Sequence, residues 1–217
     1  MISKLPSWIW PGAWTLAMMA GIINVVGLLS FQRQPLTHLT GTTTMLAEAL
    51  SKLDLQALLH FAVIIGSFML GTMVSGYLVQ DATLKLGRRY VAALWVEALL
   101  LLLAIPLLRH TRNEGLYCAA CACGLQNAMI STFSGTVVRT THVSGMFTDL
   151  GIALGHALRG LKADMRRVKL CLLVISGFLV GGVVGALAFR VWQYLTLLIP
   201  CALTIVIAAR VEVVRRR

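Results

Sequence analysis

The chain has 217 residues, 58% hydrophobic and only 12% charged, with a formal net charge of +11 and a mean hydropathy of +0.83. Water-soluble domains carry about 45–50% apolar and about 25% charged residues, so a wettable globular surface is excluded and a lipid environment resolves the conflict. The length suits one transmembrane domain, residues 1–217.

In chain order, residues 1–14 hold Lys4 and three tryptophans, Trp8, Trp10 and Trp14, with no small-residue cleavage site after the first apolar run. They read as an interfacial anchor and not as a removable leader. Six apolar segments follow that are long enough to cross a hydrocarbon core, near 12–31, 57–80, 90–108, 115–133, 169–189 and 191–210. Only Arg190 and Val191 separate the last two, which predicts a tight antiparallel hairpin. The segments 34–54 and 137–160 differ. Each opens with a polar, β-branched run, Thr37-His38-Leu39-Thr40 or Thr140-Thr141-His142-Val143-Ser144, then meets Gly41 or Gly145 and turns helical. A short extended segment leading into a half-helix is the form of a broken or re-entrant element, which survives at membrane depth only inside protein or against a water-filled cavity.

An internal repeat organises these pieces. Gly21-Ile22-Ile23-Asn24-Val25 matches Gly124-Leu125-Gln126-Asn127-Ala128, and Thr37-His38-Leu39-Thr40-Gly41 matches Thr141-His142-Val143-Ser144-Gly145. Thr44 and Leu46 match Thr148 and Leu150. Ser67, Phe68, Gly71 and Ser75 match Gly177, Phe178, Gly181 and Gly185. The expected fold is an all-α integral membrane protein of about six transmembrane helices in two three-span units, about 1–110 and about 111–217, each with its half-helix. Three spans per unit invert the second unit. Four, with the half-helices crossing fully, do not.

Basic residues crowd between or after apolar runs: Lys85, Arg88, Arg89, Lys162, Arg166, Arg167, Lys169 and Arg215-Arg216-Arg217. That is the positive-inside pattern of cytoplasmic loops, with both termini cytoplasmic, and it points to anionic lipid as partner in place of nucleic acid. The five cysteines, Cys118, Cys121, Cys123, Cys171 and Cys201, lie in apolar surroundings and read as small packing residues. No disulfide framework is implied.

At the repeated motifs the chain resembles the YoaK-like family, bacterial membrane proteins grouped as a domain of unknown function (DUF1275). The residues that carry the resemblance are Ala20-Gly21-Ile22-Ile23-Asn24-Val25-Val26-Gly27 and Leu39-Thr40-Gly41-Thr42-Thr43, with Gly124-Leu125-Gln126-Asn127-Ala128 and Thr141 through Gly151 in the second half. The resemblance implies an inner-membrane protein and carries no activity with it. The chain departs from the family pattern at Asn24, where an acidic residue is usual, and at Thr42, where Asn is usual.

Two half-helix N-termini meeting near the midplane would present unpaired N–H groups and about half a positive charge each. Repeat-built secondary transporters hold solutes this way. The candidate solute-binding residues are Asn24, Thr40, Gly41, Thr44, Asn127, Thr141, Ser144, Gly145 and Thr148. Thr40 and Ser144 would cap the half-helices or contact solute, and the glycines would allow close approach. As packed turns, the same residues would bind nothing, and Asn24 and Asn127 would bridge helices. His38 and His142 would relay protons or hydrogen-bond within the polar stretch. Glu97, deep in an apolar span, costs at least a few kcal/mol unless paired or protonated. It ranks first as a proton-coupling group, with Asp149 and Glu48 behind it. Small residues at four-residue spacing, Ser67/Gly71/Ser75 and Gly177/Gly181/Gly185, suit close packing of the two halves or of a homodimer.

No HExxH, GxSxG, phosphate loop or Cys/His ligand spacing stands in the sequence; His142, Asp149 and His156 recur at sevens, which could put metal ligands on one helix face, but His142 is expected to lie outside the helix. The expected function is a small-solute secondary transporter or permease of the bacterial inner membrane, its solute anionic if the N-termini bind it. No catalysis and no cofactor are expected. The competing expectation is a channel-like or structural membrane protein without a solute site.

Overall fold

The computed structural model describes residues 9–79, 87–133, 140–162 and 164–216. Regular structure among them is helical: α1 (Ile9–Leu29), α2 (Leu39–Ser51), α3 (Leu55–Leu78), α4 (Arg88–Arg109), α5 (Asn113–Phe133), α6 (Val143–Leu158), α7 (Met165–Trp192), a 3₁₀ turn (Gln193–Leu197) and α8 (Leu198–Arg216). Two aspartates start helices at equivalent places. The Asp54 side chain accepts from the Ala57 N–H at 3.0 Å, and Asp164 accepts from the Arg166 and Arg167 N–H groups at 3.0 and 3.3 Å. Each satisfies donors that a helix start leaves unpaired.

Four helical stretches among the described residues are long and apolar enough to cross a membrane: Trp10–Leu29, Leu55–Leu78, Arg88–Arg109, and Met165–Val213, which runs through α7 and α8. The helix α5 is not among them, although its 21 residues match a predicted span. The reason is its composition: Gln126 and Asn127 interrupt a run of small and apolar residues. From Gly115 to Thr132 every residue of α5 is buried or half-buried.

The core falls into two clusters, and they fix the helix directions. One joins the starts of α1, α4 and α7 (Ala13, Val91, Cys171) to the ends of α5 and α8 (Met129, Val211), with Val79 just after α3. The other joins the ends of α1 and α4 (Val26, Leu108) to the early parts of α5 and α8 (Leu116, Cys201), beside Ile64 and Phe68 of α3. Hence α1, α4 and α7 run one way and α3, α5 and α8 the other.

Close helix pairs rest on glycine. A Cβ at Gly21 would meet the Phe178 carbonyl, and one at Gly181 would meet that of Met18, so α1 lies against α7. A Cβ at Gly124 would meet the Phe68 carbonyl, and one at Gly71 that of Cys121, so α5 lies against α3. Omitting Cβ brings backbones together where burial of apolar surface offers no drive. The stripes Gly71 and Gly177/Gly181/Gly185 are therefore used within the chain.

Two expectations need correction. The final pair is not a tight hairpin after Phe189: α7 continues to Trp192, and the chain reverses at Gln193 (φ 49°, ψ −132°). The helix α8 then packs on α4, with the Cys201 thiol donating to the Ala98 carbonyl at 3.6 Å. The run before α2 is no strand. Residues 30–38 are irregular, with Arg33 in the left-handed region. Its counterpart Thr140–Ser144 is no strand either: Thr140 and Thr141 form a turn and Val143 already begins α6, while residues 134–139 lie outside the described residues.

Candidate functional site

The site is built by a chain that turns back on itself. After α1 ends at Leu29, the Gly27 carbonyl accepts from the Ser30 and Gln34 N–H groups at 3.2 and 3.1 Å. The returning strand of loop crosses Gly27 so closely that a Cβ there would strike the Gln34 carbonyl and the Leu36 side chain. Asn24 then anchors it. Its Oδ1 accepts from both the Thr37 N–H (3.0 Å) and the Thr37 hydroxyl (2.9 Å). Asn24 lies five residues before the end of α1, about 7–8 Å back along the helix at 1.5 Å per residue. The helix α2 thus begins at that depth along α1, with Thr37 buried and His38 and Thr40 exposed.

Neither α2 nor α6 is capped by Thr40 or Ser144, which lie within the first turn of those helices. The N-caps are His38 and His142, and neither uses its side chain to cap. The imidazoles instead lie back over the first turn, where a Cβ at Gly41 would hit the His38 ring and one at Gly145 the His142 ring. The matched glycines therefore seat a matched histidine pair. The cap backbone bonds are equivalent too, Thr42 N–H to the His38 carbonyl at 3.1 Å and Met146 N–H to the His142 carbonyl at 3.2 Å.

Between the starts of α2 and α6 lies a cavity of about 610 Å³. The first half contributes Asn24, Pro35, Thr37, His38, Leu39 and Thr40, and the second Asn127, Thr141, His142, Val143 and Ser144, with Phe68, Phe147 and Phe178 as aromatic walls. Of the predicted residues, Asn24, Thr40, Asn127, Thr141 and Ser144 line it. Gly41 and Gly145 stand behind the histidines. Thr44 and Thr148 fall away from the cavity and are exposed, their hydroxyls donating to the Thr40 and Ser144 carbonyls at 3.0 Å each. One turn of helix moved them off the site. The two asparagines are not equal: Asn24 Oδ1 is doubly bonded, whereas Asn127 Oδ1 is buried with no hydrogen-bond partner.

The acidic candidates separate sharply. Asp149 is ion-paired to Arg167 at 2.7 Å, and Glu48 to Lys52 at 2.6 Å on an exposed helix face. Glu97 is wholly buried, and neither carboxyl oxygen has a hydrogen-bond partner.

Residues 12–210 match the family described as protein of unknown function, DUF1275. The chain belongs to that family. No curated protein and no solved structure matches it. Every cavity residue of this DUF1275 chain falls inside the matched region. Pro35 and the three phenylalanines escaped the sequence reading. Phe68 and Phe178 stood in the repeat as an identical pair, which was the available signal.

Proposed function

We propose that this protein is a small-solute secondary transporter or permease of the bacterial inner membrane. In this reading six helices cross the bilayer as two inverted three-span units, and the solute sits between the N-termini of α2 and α6. The observation that carries it is the cavity itself, lined at equivalent positions by both halves: Asn24 with Asn127, His38 with His142, Thr40 with Ser144. Supporting it, the directions of α1, α3 and α4 are each reversed in α5, α7 and α8. Inverted repeats with broken helices at mid-depth are the common build of alternating-access carriers. Both termini are cytoplasmic under this proposal, which keeps Lys85, Arg88, Arg89, Lys162, Arg166 and Arg167 on the inner side.

Helix N-termini supply aligned N–H donors and favour negative charge, and hydroxyls and imidazoles complete a polar lining for a small anion such as a carboxylate. The doubly bonded Asn24 favours a second reading for the first half alone, a locked structural turn. Thermal unfolding of detergent-purified protein against a pooled library of small carboxylates, phosphate, sulfate and halides tests the proposal. A saturable rise in Tm that Asn127→Ala removes, followed by uptake of the same solute into proteoliposomes, is the expected result. No shift and no uptake with any member of the pool would leave the structural reading standing.

A further inference from the structure

Glu97 is the tenth residue of the 22 in α4, half-way through the helix and fully enclosed. Both carboxyl oxygens lack a hydrogen-bond partner. The titratable groups that face it electrostatically are Tyr90 on its own helix, Cys123 on α5 and Cys201 on α8. Thr204 of α8 is beside it, but the Thr204 hydroxyl donates to the Pro200 carbonyl at 2.9 Å. An acid kept in such a place, with no cation opposite it among the described residues, demands a use.

Along α5 the residue nearest Glu97 and the cavity lining are one helical turn apart. On α5 Cys123, Gln126 and Asn127 are neighbours at i, i+3 and i+4. Cys123 faces Glu97, and Asn127 lines the cavity. Gln126, one turn along α5 from Cys123, is fully buried with both amide atoms unpartnered. The antiparallel register of α4 and α5, set where Gly115 abuts Leu108 and Ala104, brings Glu97 level with this stretch.

We propose that Glu97 is a proton-binding site linked to the solute cavity through α5, with the buried Gln126 as the positioning residue. The proton binds a carboxyl oxygen, cancelling the one negative charge there, and returns to water from the cavity side. A metal cation fits poorly, since two of the nearest groups are thiols, soft donors, and hard cations need a shell of oxygens. A proton needs a single acceptor. The link to solute rests on the proposed cavity, whereas proton binding by Glu97 does not.

The test is infrared spectroscopy of the full chain in phosphatidylethanolamine–phosphatidylglycerol vesicles, cycled between about pH 5 and about pH 10. A carboxylic acid C=O band should vanish and return reversibly in the wild type, be absent in Glu97→Gln, and persist at a shifted frequency in Glu97→Asp. Gln126→Leu should keep the band and slow its response at least tenfold. Should Glu97→Gln fail to fold, the shift in Glu97→Asp makes the assignment. A band that survives Glu97→Gln, one that never changes with pH, or an unaltered rate in Gln126→Leu overturns the proposal. A pool of anions that leaves Tm unmoved refutes the cavity as a solute site, while the pH cycle still decides Glu97 separately.

Discussion

Gly181 and Gly182 are adjacent on α7, yet substitution at the two positions should have opposite effects. A Cβ at Gly181 would overlap the Met18 carbonyl of α1, with the carbonyl carbon at 2.7 Å and the Met18 Cα at 2.9 Å. Ordinary carbon–carbon contacts lie at about 3.5–4.0 Å, so α1 must retreat by about 1 Å, and the obstacle is backbone that cannot swing aside. Overpacking of this kind costs about 1–3 kcal/mol, against a gain of about 0.5–1 kcal/mol for replacing a helical glycine by alanine. At about 2–4 °C per kcal/mol for a chain of this length, Gly181→Ala should lower Tm by several degrees. At Gly182 nothing lies within 4 Å of the added carbon, so Gly182→Ala should leave Tm unchanged or raise it by about 1–3 °C. Differential scanning fluorimetry in detergent, repeated for Gly71→Ala against Gly76→Ala on α3, reads the contrast directly. Equal shifts for Gly181→Ala and Gly182→Ala would refute the claim that backbone contact at glycine holds α1 to α7.

Four further outcomes follow, three from named contacts and one from the proposed topology. Asn24→Ala removes two acceptor bonds to Thr37 and should cost about 1–3 kcal/mol, seen as a fall in Tm; Asn127→Ala, whose Oδ1 has no partner, should leave Tm nearly unchanged and abolish anion-induced stabilisation. Gly41→Ala and Gly145→Ala should push the His38 and His142 rings aside, at a cost in Tm smaller than that of Gly181→Ala because a side chain can yield where backbone cannot; weakened anion stabilisation is the readout. Asp149→Asn breaks a partly exposed ion pair with Arg167 and should shift stability by about 1 kcal/mol, with no change in the Glu97 infrared band. Reporter fusions after residue 217 should signal from the cytoplasm, and a periplasmic signal would invert the proposed topology.

Membrane residence and an all-helical fold were legible from apolar length alone, because a lipid core admits backbone only where its hydrogen bonds close locally. The repeat was equally plain, and it pointed to Asn24, Asn127, Thr40, Ser144 and the two histidine–glycine pairs as equivalent places. Three things were decided only by the tertiary structure. Helix partners were one: α8 rests on α4 and not on its neighbour α7, since the turn at Gln193 carries the chain away from α7. Direction was another, as hydropathy marks a span without saying which end starts it. The last was which side chains face the cavity. Thr44 and Thr148 share the repeat with Thr40 and Ser144, yet one helical turn rotates and raises them out of reach. Gly41 and Gly145 make room for imidazoles where solute was expected. A repeat tells which residues correspond; the packing of α2 against α3 and of α6 against α7 determines what each correspondence faces.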